Sequence, residues 1–541
     1  MAPDTGQHFS LLDERLLHYR RVTDGEGISA TLPELLVALA HDEVRDFPAL
    51  RPHQRHPWHA FLTQIAAIAL HQAGQTEPWT EPDAWRSALL ALTPAHPDGA
   101  PWRLVAQADQ PALLQPPVPD GHLKDWKNQL AAADELDMLV TSKNHDLKAA
   151  RMQRSTPEDW LYALLSLQTQ EGFLGAGNYG ISRMNGGFAS RPAVGVVPTG
   201  GWGRRWRRDL QLLLTHRADI ARVQGMAASD GLALIWLAPW DGLSSLAFAA
   251  LDPLYIEVCR RVRLVVAEGQ IQALGTGSKA ARIAGKERNG VTGDAWTPID
   301  VAAAKALTIT DKGFDYKLAT ELLLPGGKYQ PTLTQQLQAD DGDEGVVILA
   351  QSVTRGQGKT EGYHERRIPI SQTMRVALRN KATDALAQNA KGRIHAIGEV
   401  RKALWAALCV LFDNGVHKDK ASEGTKRKAN DFSAPFEHNE DARFFLDLIE
   451  EIESTTPVAV HGQWLLDLAE RAEQVLKDAF DAGPRSGMQR YRAQSAALGR
   501  FHGGLRAPKF GVPELSRLLR ERSQTHSSHS SNSQEVPHEL G

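Results

Sequence analysis

Three fragments of the chain carry residue types that chemistry could use. Gly175-Ala-Gly177-Asn-Tyr-Gly180 fits the G-x-G-x-x-G spacing, in which glycines between a strand and a helix let backbone approach a pyrophosphate. The context is wrong for a dinucleotide. A helical run, PEDWLYALLSLQTQ, precedes the fragment, and where an acid should hold the ribose, about 20 residues on, stand Thr199, Gly200 and Gly201. Gly358-Lys359-Thr360 resembles the end of a P-loop, yet the leading glycine of that motif would be Val353. The fragment also lies between two strand-like runs, whereas a phosphate cradle needs a helix N-terminus. His53, His56 and His59 recur at the spacing of metal ligands, but Pro57 interrupts them, so they do not share one regular helix face. No Ser-His-Asp or paired-carboxylate arrangement stands out. The expectation is a protein that is not an enzyme, with no metal and no cofactor.

The glycines suit another chemistry better. Residues 172–187, GFLGAGNYGISRMNGG, contain Gly172, Gly175, Gly177, Gly180, Gly186 and Gly187. Without a Cβ, such a loop can bring its amides close to a flat or anionic partner. Asn178, Tyr179, Ser182, Arg183 and Asn185 are interleaved, and all are side chains able to contact phosphates or base edges. The plain alternative is a flexible connector. A second glycine-rich stretch, Arg355 to Gly362, joins GVVILAQSV to YHERRIPI. It reads as a hairpin tip presenting Gln357 between Gly356 and Gly358, with Arg355 and Lys359 beside it, or as an ordinary turn. Two basic groups accompany these loops. Arg204, Arg205, Arg207 and Arg208 surround Trp202 and Trp206, either for phosphate and stacking contacts or as a helix start with Asp209 as partner. Lys418, Lys420, Lys426, Arg427 and Lys428 read as a basic loop, for nucleic acid or simply solvated.

The elements that must position these residues change character along the chain. Its 541 residues suffice for two or more domains, and 42% hydrophobic residues supply a sizeable core. Sixty-one Lys and Arg against 64 Asp and Glu leave a net charge of −3, which excludes a surface basic all over but not a local basic patch. Cys259 and Cys409, the only cysteines, build neither a disulfide framework nor a four-cysteine zinc site. They suit a reducing compartment. Neither a membrane span nor a secretory leader is legible, so a soluble, cytoplasmic protein without a membrane partner is expected.

Up to Ile370 the pattern is mixed. A helix capped by Thr31 with Glu34 three residues on, a helix opened by Pro57 and closed by Gly74, and another from Pro157 are expected. Strand-like runs follow in GLALIWLAPW, VRLVVAEG, GVVILAQSV and YHERRIPI. After Ile370 the texture is helical: Met374 to Phe412 with a break near Lys391-Gly392, then ARFFLDLIEEI, VHGQWLLDLAERAEQVLKDAF and MQRYRAQSAALGRF. The expected fold class is α+β, a large mixed N-terminal domain (1–370) followed by a C-terminal antiparallel four-helix bundle (374–522). A Ser- and His-rich tail, 523–541, should be disordered.

The order of these segments resembles one family, the large subunit of the type I-E CRISPR Cascade surveillance complex (the CasA family). The resemblance runs from FSLLDE and TLPELLVAL through LRPHQRHPWHAFL. It is strongest in LDMLVTSKNHDLKAARM and GFLGAGNYGISRMNGGFASRP, and returns in RGQGKTEGYHERRIPI. It implies a non-catalytic subunit of an RNA-guided antiviral complex. Such a subunit recognises the protospacer-adjacent motif (PAM) of double-stranded target DNA through the minor groove, promotes duplex opening and R-loop formation, and recruits a helicase-nuclease. By motif, the DNA-binding residues would be Gly172, Gly175, Ala176, Gly177, Asn178 and Tyr179, with Arg355, Gly356, Gln357, Gly358 and Lys359 at a wedge. A lysine of SKAARIAGK would assist, Lys286 or secondly Lys279. Val140, Thr141, Ser142, Lys143, Asn144 and His145 would contact the 5′ end of the guide RNA or a neighbouring Cascade subunit. Some relatives carry a cysteine cluster suggestive of zinc, which this chain lacks. The competing expectations are a nucleotide-dependent enzyme using the G-x-G-x-x-G or GKT fragment, and a purely structural assembly subunit.

Overall fold

The computed structural model describes residues 9–137, 154–171, 177–186, 191–324, 327–342, 345–356, 359–416 and 421–531. The chain divides into two compact units, Met1–Phe314 with Glu321–Ile370 and Asp315–Thr320 with Ser371–Gly541. The fold is mixed α+β with a helical C-terminal region.

The first unit is organised around the helix Arg55–Gln72, which is buried on every side from His56 to Leu70. A helix so enclosed needs no amphipathic stripe, and it packs against the helices Pro157–Gln170 and Trp202–Gln224. It begins before Pro57, continuing a 3-10 turn Pro52–Gln54. Pro57 fits there because the amides of a first turn have no intrahelical acceptor to lose. Capping at Leu32–Ala40 is reciprocal: Thr31 Oγ1 accepts from the Glu34 amide at 3.3 Å, and the Glu34 carboxylate accepts from the Thr31 amide at 2.9 Å. Thr156 and Asp159 repeat the arrangement on Pro157–Gln170.

Several small sheets flank these helices. In one, Val347–Gly356 lies between Lys359–Pro369 and Ala193–Val197, antiparallel to both. Its hairpin ladder runs from Val347↔Pro369 to Gly356↔Lys359, with a register shift at Thr354/Arg355. In another, Gln270–Thr276 pairs with Arg261–Ala267 and Asn128–Leu130. GLALIWLAPW is not one strand. Leu232–Leu234 pairs in parallel with Leu251–Ile256, and Ile235–Leu237 turns into a 3-10 helix.

The second unit contains Gln372–Arg379, Asp384–Phe412, Glu423–Glu453, Pro457–Asp478, Gly487–Arg506 and Pro513–Ser531. Leu404, Leu408, Phe436, Leu468 and Phe501 are among its buried side chains. The interruption expected at Lys391-Gly392 falls instead near Lys381, whose φ is +55°. Gly392 lies within a continuous helix with open space where its Cβ would be. Lys426, Arg427 and Lys428 are helical rather than in a loop, while Lys418 and Lys420 lie outside the described residues. Helical backbone also takes in Ser523–Ser531 of the tail expected to be disordered. Among the described residues no helix is long and apolar enough to cross a membrane.

Candidate nucleic-acid interface

The described part of the first glycine-rich segment lies along a second stretch of chain. Gly177 has φ +82°, and its carbonyl accepts from the Ser278 amide at 2.9 Å. A Cβ on Gly177 would sit 3.5 Å from the Gly277 Cα. Here positive φ, more than space, is what favours glycine. The Tyr179 hydroxyl donates to the Lys279 carbonyl at 3.0 Å, and Asn178 is exposed between these two ties. Gly172, Gly175 and Ala176 lie outside the described residues, as do Val140, Thr141, Ser142, Lys143, Asn144 and His145.

Beyond Tyr179 the chain dives inward. Ser182 donates its amide to Glu257 at 2.5 Å, and its hydroxyl is bonded to the Tyr255 hydroxyl at 2.7 Å. Arg183 donates to the Tyr255 carbonyl at 2.8 Å, with its guanidinium 3.8 Å from the centre of the Tyr255 ring. Both side chains are buried, so they anchor the loop and do not face a partner. Beneath them Arg191 holds Asp294 with two hydrogen bonds. Burial alone would raise the Asp294 pKa, but Arg191 and Arg183 hold it well below the ordinary carboxylate range. This is a rigid footing for the segment above.

Next to that footing runs a groove of about 600 Å³, lined by Tyr179, Ile181, Met184, Ile283 and Lys286 among others. A Cβ on Gly285 would come within 2.8 Å of the Ser182 Cβ, so only glycine lets the groove wall close. Lys279 and Lys286 are exposed, and neither side chain is paired with a carboxylate among the described residues. Their neighbours are committed elsewhere. Arg282 donates to the carbonyls of Ile235 (3.1 Å), Ala238 (2.6 Å) and Pro239 (3.2 Å), and burial pushes its pKa down to about 10. Arg288 lies over the Phe248 ring and donates to the Gln224 carbonyl.

The hairpin meets the same neighbourhood. Thr354 Oγ1 donates to the Thr310 carbonyl at 3.2 Å, and Asn185 Nδ2 donates to Thr308 Oγ1 at 3.4 Å. One short stretch, Thr308–Thr310, therefore ties the end of the glycine-rich segment to the end of the hairpin. The backbone of Arg355, Gly356 and Lys359 belongs to the hairpin ladder, and Gln357 and Gly358 lie outside the described residues. Lys359 and Thr360 start a strand, which is not the geometry of a P-loop. Among the described residues no helix opens between Gly177 and Gly186, as a dinucleotide fold would require.

Solved structures repeat this arrangement of elements. CasA (Cse1) of Thermus thermophilus aligns over 92% of this chain and 99% of its own, with a TM-score of 0.64 at 15% identity. Cse1 of Acidimicrobium ferrooxidans aligns over 95% and 99%, with 0.64 at 15% identity. Cse1 of Thermobifida fusca aligns over 94% and 98%, with 0.61 at 13% identity. The chain has the CasA fold. No protein-family model and no curated protein sequence matches it.

Within this CasA fold the arginines of the Trp202–Gln224 helix are placed differently from the lysines. Arg208 is buried and donates to Asp341 at 2.5 Å and to Asp209 at 2.9 Å. Arg204 donates to the Asp340 carbonyl at 2.8 Å, leaving Arg207 as the exposed member. Two members of the expected phosphate-and-stacking cluster are thus structural, Arg208 through Asp341 distant in sequence and Asp209 beside it, and Arg204 through a backbone carbonyl. The histidines separate likewise. His53 pairs with Asp137 at 2.6 Å and His59 with Asp209 at 2.8 Å, while His56 is edge-on to Trp296. Burial lowers the His59 pKa to about 4 despite Asp209. The Tyr179–Lys279 tie and the Thr308–Thr310 stretch carried no signal in the sequence, since each bond spans 100 residues or more in the case of Tyr179 and Asn185.

Proposed function

We propose that this chain is the large subunit of a type I-E CRISPR Cascade surveillance complex, a cytoplasmic, non-enzymatic protein that recognises the PAM in double-stranded target DNA. The observation that carries the reading is the attachment of two glycine-rich segments to one stretch, beside exposed lysines, in a chain with the CasA fold. The minor groove offers a degenerate donor and acceptor pattern, so a reader there works by close approach and shape. A loop from Gly172 to Tyr179, fixed at Gly177 and Tyr179, suits that task. Lys286 or Lys279 would supply a phosphate or base-edge contact. Gln357 would enter between base pairs as an uncharged wedge, promoting R-loop formation, with target sequence left to guide pairing. Residues Val140 to His145 would meet the guide's 5′ end or a neighbouring subunit. The helices from Asp384 to Arg506 would form the antiparallel four-helix bundle, and the subunit would recruit a helicase-nuclease.

A gel shift of the reconstituted complex, with and without this chain, on targets of varied flanking motif tests the reading. Motif discrimination should require the chain, and Gln357→Ala should impair binding to duplex more than to a pre-melted target. Equal discrimination without the chain would reduce it to an assembly subunit.

A further inference from the structure

We propose a second site in this chain, an arginine-lined pocket that takes a phosphate group and uses none of the glycine-rich residues. A cavity of about 420 Å³ opens in the first unit, lined among the described residues by Arg20, Arg45, Arg55, Arg205 and Arg367 against two carboxylates, Asp46 and Glu365. Five elements build it. The strands Leu17–Arg21 and Val44–Asp46 bring Arg20 and Arg45, the helices Arg55–Gln72 and Trp202–Gln224 bring Arg55 and Arg205, and the hairpin strand Lys359–Pro369 brings Arg367. Strand periodicity explains the face of the hairpin. Leu349 is paired with Arg367 and Gln351 with Glu365, so all four project on one side.

The two carboxylates are already shared. Asp46 accepts from Arg20 at 2.6 Å and from Arg45 at 3.3 Å. Glu365 lies 3.5 Å from Arg367 and also accepts from the Tyr363 hydroxyl at 2.7 Å and Gln351 Nε2 at 3.3 Å. Arg55 and Arg205 are left with no hydrogen-bonded carboxylate among the described residues. The Arg205 Nε is buried with no hydrogen-bond partner among the described residues, and burial lowers that guanidinium's pKa although Asp209 partly offsets it. A buried cationic donor left unpaired is unfavourable, and an entering anion would satisfy it. Guanidinium forks suit phosphate oxygens, several of which one group presents at once. The helix start does not carry this argument, since the Arg204 amide already donates to Asp42 at 2.8 Å. Beside the arginines, Trp202 and Phe47 form an edge-to-face wall with ring centres 4.8 Å apart. That wall gives room for the sugar or base of a nucleotide. The ligand chemistry is thus a phosphate, borne by a free nucleotide or by a nucleic-acid backbone.

Calorimetric titration of the full chain with inorganic phosphate, a mononucleotide and a short single-stranded oligonucleotide, at matched ionic strength in chloride, tests the site. Saturable one-to-one binding is expected. Arg205→Gln should weaken it about tenfold or more, the loss of one charge-assisted bond. Because Arg205 is half-buried with its Nε inside, the double variant Arg55→Gln with Arg367→Gln, at two exposed positions, should show the same loss in a chain that folds normally. Arg222→Gln, exposed and paired with Asp219, should change nothing. Saturation by phosphate or mononucleotide identifies a small ligand, and saturation by the oligonucleotide alone identifies a backbone phosphate. Absence of saturable binding by every probe, or an equal loss in Arg222→Gln, overturns the proposal. Neither result depends on whether the glycine-rich segments meet DNA.

Discussion

Two cationic regions of the first unit look alike in sequence and are opposites in space. Arg208, near the start of Trp202–Gln224, is 5% exposed and lies between two carboxylates that are each 1% exposed. Lys279 and Lys286, near the groove, stand in solvent without a carboxylate among the described residues. Arginine supports the interior role because its planar fork satisfies two acids at once, whereas a flexible ammonium serves as a movable point charge. A basic cluster therefore says little about nucleic acid until its partners are known. Committed cations hold the fold together, and uncommitted ones are available to a ligand.

The contrast can be broken most severely at Arg208. Arg208→Met should cost about 3–5 kcal/mol by leaving Asp209 and Asp341 buried without their cation, read as a shift in denaturant midpoint. A loss below about 1 kcal/mol, the size of a surface pair, would show that the arginine is not committed as described. A smaller effect concerns the acid that Arg208 shares. His59 is buried, with a pKa pushed from 6.5 to about 4. Between those values the unfolded chain binds a proton that the folded chain refuses, so stability falls as pH falls. His59→Gln keeps a donor for Asp209 and should remove about 3 kcal/mol of that acid loss. Superimposable stability-against-pH curves for variant and wild type would count against it. The smallest change in stability is expected at Lys286. Lys286→Ala should leave the unfolding free energy within about 0.5 kcal/mol while lowering the salt dependence of DNA binding by about one ion. A large stability loss there would turn the comparison around, making the lysine structural.

Local signals were well expressed in the sequence. Thr31 with Glu34, and Pro157, mark helix starts that the structure places there, because capping and a first-turn proline act within one turn. Boundaries set by longer reach were not. The helix Glu423–Glu453 absorbs Lys426–Lys428 and passes through Pro435, and Lys381 rather than Gly392 interrupts the preceding run. Packing against neighbouring helices overrides such local preferences. Of the candidate interface, the residue types of Gly177, Tyr179 and Lys286 were legible, and their proximity was not.

Composition, periodicity and capping by themselves determined that this chain has an α+β body, a helical C-terminal region and two glycine-rich stretches. Only the tertiary structure decided which charges are used inside it. Arg208 meets Asp341 across 133 residues, and Arg191 meets Asp294 across 103. Charge pairing depends on distance and burial in space, and those two quantities exist only once the chain has folded.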